Sequence, residues 1–136
     1  HEDEAADLFV EMTGRTVHLS KFYEHPTIPN FGATPDRELD DGLLEIKCPN
    51  TTTYVRWMLA GVIPEQHKPQ MCAQLLCAGK TWCGFIAYDP RIREERKRLF
   101  LRKYEPTSEE LQAVADAATR FLDELDELFD KFVGIT

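Results

Sequence analysis

The segment from Leu43 to Cys48 constrains the fold more strongly than any other part of the chain, because its side chains alternate between polar and apolar. This alternation has the period of a β-strand, in which successive side chains point to opposite faces of the sheet. Glu45 and Lys47 would project together from one face, and Leu44 and Ile46 would point the other way into apolar packing. The pattern therefore predicts a strand with one chemical face and one structural face.

A hairpin turn is predicted immediately before this strand. The dipeptide Asp41-Gly42 lies between apolar residues, and it is a strong hairpin signal because Gly accepts positive φ. The turn would bring Asp36, which lies in the segment before it, back beside Glu45.

The two carboxylates predict a divalent metal site. Without a cation they would repel each other and raise each other's pKa, whereas a hard ion would bind oxygen atoms from both. We expect Mg²⁺, with Asp36, Glu45 and the backbone carbonyl of Ile46 as ligands, and with Mn²⁺ as a substitute. Such an ion polarises a phosphoryl oxygen, and the Lys47 amine can orient or help to deprotonate the attacking water. The alternative is a solvated hairpin face with weak ion pairs.

Four short motifs follow one another along the chain. They are Ala33-Thr34-Pro35-Asp36, Leu44-Glu45-Ile46-Lys47-Cys48-Pro49, Gln70 on a helical stretch, and Ala87-Tyr88-Asp89-Pro90-Arg91. In this order they resemble the YqaJ-like viral recombinase nucleases typified by lambda exonuclease, a branch of the PD-(D/E)xK superfamily. The Glu-Ile-Lys-Cys-Pro and Tyr-Asp-Pro-Arg signatures are more specific to this branch than the superfamily motif is.

The resemblance implies a role for each matched residue. Asp36 and Glu45 would be metal ligands, and Lys47 would be the catalytic lysine. The resemblance also implies an active-site glutamine, matched by Gln70, and a helper carboxylate on the first helix, matched by Glu4.

The chain departs from the family pattern at two positions and at its start. Arg37 follows the Pro-Asp pair, where the family usually has Gly, and Cys72 replaces a second glutamine. The chain begins at His1, inside what resembles the second helix of the family fold. We therefore expect the family's preceding segment, which in relatives helps to hold the DNA end and its 5′ phosphate, to be missing.

The formal net charge of −8 opposes a simple duplex-binding protein, because affinity for DNA rests on neutralising phosphates. The charges are segregated along the chain. Basic residues are concentrated between Arg91 and Lys103, and acidic residues between Glu109 and Asp130. The basic segment is therefore either a DNA contact or a solvated loop and strand rim.

Neither the cysteines nor the hydropathy pattern indicates an extracellular or membrane protein. Cys48, Cys72, Cys77 and Cys83 lie in apolar stretches without a C-x-x-C pair, which favours buried free thiols over disulfides, zinc or an iron-sulfur cluster. No signal peptide and no apolar run of about 20 residues is present. We expect a soluble phage or prophage protein that acts in the cytoplasm of a bacterial host cell, without membrane contact.

The sequence predicts an α/β fold. At 136 residues the chain has the size of one domain, so a single nuclease domain is expected over residues 1–136. Helices are predicted near residues 2–13, 51–60, 66–76 and 107–132, and strands near residues 17–23, 31–37, 43–48, 82–88 and 98–104. These elements give a PD-(D/E)xK restriction-endonuclease-like core, with a central mixed β-sheet flanked by helices. The apolar stripe of the last helix is expected to be core, or partly a subunit interface.

The function implied by the resemblance is a magnesium-dependent, phage-type DNA exonuclease. It would hydrolyse one strand of double-stranded DNA from a 5′ end, in the 5′ to 3′ direction, for recombination with a single-strand annealing protein. The resemblance also implies a closed ring of three copies, a homotrimer threaded by DNA. Two alternatives stay open: an endonuclease or repair nuclease of the same superfamily, and a non-catalytic module that binds DNA ends or the annealing protein.

Overall fold

The computed structural model describes residues 1–135, which form a five-stranded mixed sheet between helices on both faces, and a separate two-stranded sheet. The helices are α1 (Glu2–Thr13), α2 (Thr51–Ala60), α3 (Lys68–Ala78) and α4 (Ser108–Val133). The strands are β1 (His18–Leu19), β2 (Tyr23–Glu24), β3 (Gly32–Ala33), β4 (Arg37–Glu38), β5 (Leu43–Lys47), β6 (Cys83–Tyr88) and β7 (Leu99–Tyr104). This architecture confirms the predicted fold class.

The strand order of the large sheet is β1-β4-β5-β6-β7. Strand β5 pairs with β6 in parallel, and the other neighbours pair antiparallel. Because β5 has a neighbour on each side, its backbone lies in the middle of the sheet. The side chains of β5 therefore point into the two helical layers, and they reach solvent only where a layer ends.

An apolar layer packs on each face of the sheet. On one face α1 covers Leu44 and Ile46, together with residues of β6 and β7. On the other face α2, α3 and the start of α4 cover Leu43 and Phe85. The alternation predicted for β5 is therefore confirmed, because the residues on either side of Glu45 point towards α1.

The predicted hairpin connects β4 and β5. Arg37 pairs with Leu44, and the turn is closed by a hydrogen bond of 2.8 Å from the Leu39 amide to the Gly42 carbonyl. The reason given for Gly42 was wrong, since its φ lies outside the left-handed region. Gly42 instead lies against the Trp82 indole, where an added Cβ would come within 2.4 Å of Cε2. Close approach, rather than backbone conformation, accounts for glycine here.

The two predicted strands before the hairpin are broken into shorter pieces. The segment 17–23 forms β1 and β2, which pair with β4 and β3 respectively and so belong to different sheets. The segment 31–37 forms β3 and the start of β4, with Pro35 between them. Proline has no amide hydrogen for a strand ladder, so a continuous strand across this position is unfavourable.

Helix α4 begins with the predicted capping box, in which Thr107 and Glu110 each accept a hydrogen bond of 3.1 Å from the other's amide. Its first turns pack Leu111 and Val114 against the core. The second half of its stripe is exposed by 48–69%, and these side chains are Phe121, Leu125, Leu128, Phe129 and Phe132. The interpretation of the stripe as core therefore holds only for the first half of the helix. Among the described residues, every helix is too short or too polar to cross a lipid bilayer.

We expect Gly42→Ala to destabilise the protein by about 1–3 kcal/mol, because the added methyl group would overpack the contact with Trp82. Urea unfolding measures this free energy. Gly134→Ala is the matched control, since an added Cβ there meets no atom closer than 3.5 Å. Equal stability of the two variants would contradict the close-approach explanation.

Candidate active site

Glu45 lies at the centre of the site and is only 2% exposed. It occupies the middle of β5, opposite Phe85 of β6. Its two carboxylate oxygens have different partners: Oε1 lies 3.0 Å from Lys47 Nζ, and Oε2 accepts a hydrogen bond of 2.7 Å from Gln74 Nε2. A buried carboxylate is costly unless it is paired, and these two contacts supply the pairing.

Lys47 lies at the end of β5, where the sheet opens to solvent. Its side chain is 27% exposed. Besides the contact with Glu45, Nζ donates a hydrogen bond of 3.1 Å to Gln70 Oε1 on α3. The structure thus brings together three residues that the sequence analysis assigned to the site, and it holds the lysine amine at the boundary between core and solvent.

Asp36 approaches the same place from the opposite side of the hairpin. It directly precedes β4, and its Oδ2 accepts a hydrogen bond of 2.8 Å from the Ile46 amide. Burial raises the pKa of Asp36 to about 6; the Ile46 amide and Lys47 oppose this rise, and the neighbouring Glu45 carboxylate adds to it. The charged form of Asp36 is therefore disfavoured mainly by burial and additionally by the adjacent carboxylate.

Glu4 lies further from this cluster. It is on α1, with a side chain that is 57% exposed. Within residues 1–135 its polar partners are the Tyr88 hydroxyl, at 3.2 Å from Oε2, and His1, at 3.5 Å from Oε1. A helper role for Glu4 stays a prediction.

A cleft of about 420 Å³ opens beside the end of β5. Its lining residues are His1, Cys48, Pro49, Asn50, Tyr88, Pro90 and Arg91. The Arg91 guanidinium bonds to the buried Asp89 carboxylate at 2.8 Å and to the Pro49 carbonyl at 3.0 Å. The Tyr-Asp-Pro-Arg motif therefore ties the end of β6 to the loop after β5 and places a basic side chain at the cleft.

The chemistry of these donors fits a hard divalent cation. Asp36 and Glu45 offer carboxylate oxygens, and the proton affinity of Asp36 indicates a place where positive charge would be favourable. Within residues 1–135, no group of three or more His, Cys, Asp or Glu side chains is arranged to hold a metal. The pair would therefore supply part of a coordination sphere, which is the usual situation for Mg²⁺ with substrate phosphates. The contact observed from Ile46 is made by its amide, and a ligand role for its carbonyl stays a prediction.

Gln74 was not predicted from the sequence as a site residue, although its amide bonds to Glu45 in the structure. The available signal was its spacing from Gln70, since residues i and i+4 share one face of a helix. That signal does not distinguish a site residue from a solvated one, and the partner is visible only once α3 lies over β5.

Two departures from the family pattern have clear structural positions. Arg37 forms ion pairs with Glu2, at 2.6 Å, and with Asp3, which ties the start of α1 to β4. Cys72 is buried, with its sulfur 3.4 Å from the Tyr104 hydroxyl.

The cysteines are free thiols. Cys72, Cys77 and Cys83 are buried, as the sequence predicted. Cys48 is exposed, because it follows β5 at the edge of the cleft, so the prediction of burial was wrong there.

Comparison with known proteins gives a consistent assignment. The YqaJ-like viral recombinase domain matches residues 1–81. The crystal structure of LHK-Exo, an alkaline exonuclease from Laribacter hongkongensis, has 32% sequence identity and a TM-score of 0.91 over 96% of this chain and 68% of that chain. LHK-Exo in complex with dAMP gives the same identity and TM-score over 67% of that chain. A phage related exonuclease from Haemophilus somnus 129PT, at 12% identity, shares the fold with a TM-score of 0.63 over 94% of this chain and 70% of that chain. No curated protein matched the sequence.

A mixed sheet that carries a Glu-x-Lys pair on one strand, with an aspartate directly before the adjoining strand, defines the class as a PD-(D/E)xK nuclease fold. Within that class, the chain belongs to the YqaJ-like viral recombinase family.

The raised pKa of Asp36 makes the stability of the metal-free protein depend on pH. Because the folded pKa of about 6 lies above the ordinary value of 3.8, the contribution of protonated Asp36 is complete below about pH 4 and is lost as pH rises through 6. We therefore expect Asp36→Asn to melt above wild type at neutral pH in EDTA, and the difference to vanish at about pH 4. Thermal melts across this range, with the exposed Asp123→Asn as control, measure the effect. Parallel melting profiles for wild type and Asp36→Asn would contradict it.

Proposed function

We propose that this protein is a magnesium-dependent DNA exonuclease that digests one strand of a duplex from the 5′ end. The observation that carries the proposal is the convergence of Asp36, Glu45 and Lys47 at the end of β5. Membership of a viral recombinase family and similarity to an alkaline exonuclease support it. The products, long 3′ single strands, are substrates for an annealing protein in a bacterial host cell infected by a phage.

Each residue of this cluster would have its own role in the reaction. Asp36 and Glu45 would hold the cation, and Mn²⁺ is expected to replace Mg²⁺ there. When bound, the cation would polarise a phosphoryl oxygen and activate water. Lys47, which is held by Glu45 and Gln70, would orient the attacking water and stabilise the charge that develops on the phosphate.

The surroundings of the cluster suit a nucleic acid end. The cleft beside β5 is open to solvent and is flanked by Arg91, whose side chain is 59% exposed. Arg91 is fixed by its bonds to Asp89 and Pro49, so its charge is presented to the cleft at little further entropy cost. LHK-Exo was crystallised in complex with dAMP, which supports a nucleotide as a ligand of this chain.

The residues that line this cleft come from outside α4. The excess negative charge lies largely on α4, whose first turns pack on α3 and whose second half extends away from the core as an exposed helix. Most of the net charge of −8 therefore belongs to a helix other than the elements that carry Lys47 and Arg91.

We expect Lys47→Ala and Asp36→Asn each to lower cleavage of linear duplex DNA by at least about 100-fold, because each removes a group that acts on water or the cation. The fold should be preserved, since Gln74 still pairs the buried Glu45 carboxylate in Lys47→Ala, and Asn can still accept the Ile46 hydrogen bond in Asp36→Asn. Circular dichroism and a nuclease assay with Mg²⁺ measure both properties. Lys80→Ala is the matched control, because its amine bonds to the Asp40 carbonyl at the hairpin. Residual activity within about tenfold of wild type would place the site elsewhere.

The same assay separates the alternative functions. Loss of a linear duplex beside an intact closed circle supports the exonuclease, and 5′-labelled ends report the polarity. Nicking of the circle would indicate an endonuclease or repair nuclease of the same superfamily. Binding of DNA ends without cleavage of either substrate would indicate a non-catalytic module.

We also propose that the active form is a homotrimer. The exposed apolar stripe on the second half of α4 would pack against a neighbouring copy, and one such contact repeated three times closes a ring. The acidic side of α4 would face outward, and the basic residues between Arg91 and Lys103 would line the channel. Enclosure of the duplex would favour processive digestion.

Light scattering tests the assembly. Three copies of the 15.7 kDa chain give a mass of about 47 kDa. We expect Leu128→Asp together with Phe132→Asp to reduce this mass to that of the monomer, because each places a charge in the apolar contact. Leu59→Asp is the control, since Leu59 is an exposed leucine on α2, outside α4. A wild-type monomer at micromolar concentration that still digests long duplexes without release would exclude the ring as the source of processivity.

A further inference from the structure

Gln74 is a buried polar residue whose presence packing does not explain. Its side chain is 3% exposed, and Nε2 donates to Glu45 Oε2 at 2.7 Å. Its other amide atom, Oε1, is buried without a hydrogen-bond partner among the described residues. An unpaired buried oxygen lowers stability, so an apolar side chain would suit this position better if packing alone decided it. The contact with Glu45 is the feature that requires an amide.

The spacing of helix and strand explains why the contact forms. Residues i and i+4 of a helix lie about 6 Å apart along its axis, and residues i and i+2 of a strand lie about 6.6 Å apart. Helix α3 runs across β5 so that Gln70 meets Lys47 and Gln74 meets Glu45. Both contacts therefore form at the same time, and a change in the orientation of either glutamine side chain would break its own contact.

The two contacts of Glu45 have different electrostatic effects. Lys47 contributes a positive charge to Oε1 and is part-exposed, so it can move towards a substrate. Gln74 contributes a neutral donor to Oε2 and is fixed inside the core. A neutral donor restrains the carboxylate without cancelling its charge, which leaves that charge available to a cation.

We propose that Gln74 is a positioning residue that holds the Glu45 carboxylate in the orientation in which it binds the catalytic cation. The inference rests on the proposed function, since it concerns the same site. Residues that orient metal ligands by hydrogen bonds commonly change metal affinity by about 10–100-fold when they are replaced. Gln74 would act in this way on Glu45, whereas Gln70 would act on Lys47.

The experiment is a titration of Mn²⁺ into the DNA-free protein, followed by calorimetry. Gln74→Met keeps the length of the side chain and removes the donor, and we expect it to weaken Mn²⁺ binding by about 10–100-fold. Gln70→Met is the matched control on the same helix face, and it should leave Mn²⁺ affinity unchanged while lowering cleavage. Cleavage by Gln74→Met should recover when the Mn²⁺ concentration is raised. Thermal melts of each variant report the fold.

A second pair of variants separates positioning from loosening of the core. Gln74→Asn preserves an amide but withdraws it from Glu45, so it should also weaken Mn²⁺ binding. If Gln74→Met fails to fold, the Mn²⁺ affinity of Gln74→Asn tests the inference in its place. Leu75→Ala destabilises the neighbouring core position without touching Glu45 and should bind Mn²⁺ like wild type. Wild-type affinity in a folded Gln74 variant, or an equal loss in Leu75→Ala, would overturn the inference. Wild-type protein that binds no Mn²⁺ would instead contradict the proposed metal site.

Discussion

The burial of the Glu45 carboxylate in the central strand is the constraint on which the rest of the site depends. A charge in the middle of a sheet is unfavourable unless its oxygens are paired, and here Lys47 and Gln74 take one oxygen each. A second carboxylate, Asp36, is added through the hairpin. Burial, together with the neighbouring Glu45 carboxylate, raises its pKa, although Lys47 opposes the rise, and two acids thus lie beside one lysine. The site is therefore built with an excess of negative charge. A hard cation relieves that excess and gives the arrangement its chemical use.

Several packing contacts of the fold hold Glu45 and Asp36 in position. The α1 layer packs on the reverse face of β5 and fixes the strand, while α3 covers the site face and carries both glutamines. Arg37, which departs from the family pattern, forms ion pairs with the start of α1. These ion pairs hold β4, the hairpin strand next to Asp36, against that helix. The close contact between Gly42 and Trp82 fixes the turn itself. The position of the two acids thus depends on ordinary packing at a distance from the chemistry.

Sequence patterns predicted the elements in which local rules and tertiary packing agree. The alternation of β5, the capping box of α4 and the helical bounds of α2 reflect local periodicity, and the structure reproduces them. Local rules failed where a distant partner decides the outcome. Gly42 is required by Trp82, 40 positions further on, and the role of Gln74 depends on how α3 crosses β5. The apolar stripe of α4 is also longer than the part of the helix that packs on the core. Periodicity shows which face of a helix is apolar, but it does not show what covers that face.

The central claim is that Asp36 and Glu45 together form a divalent cation site, and a crystal grown with Mn²⁺ tests it most directly. Data collected near the manganese absorption edge locate the ion from its anomalous scattering, independently of any activity. We expect one strong anomalous peak in contact with carboxylate oxygens of both residues, and no such peak in Asp36→Asn crystals grown in the same way. A wild-type crystal without a peak between these two carboxylates, at a Mn²⁺ concentration that supports cleavage in solution, would contradict the claim.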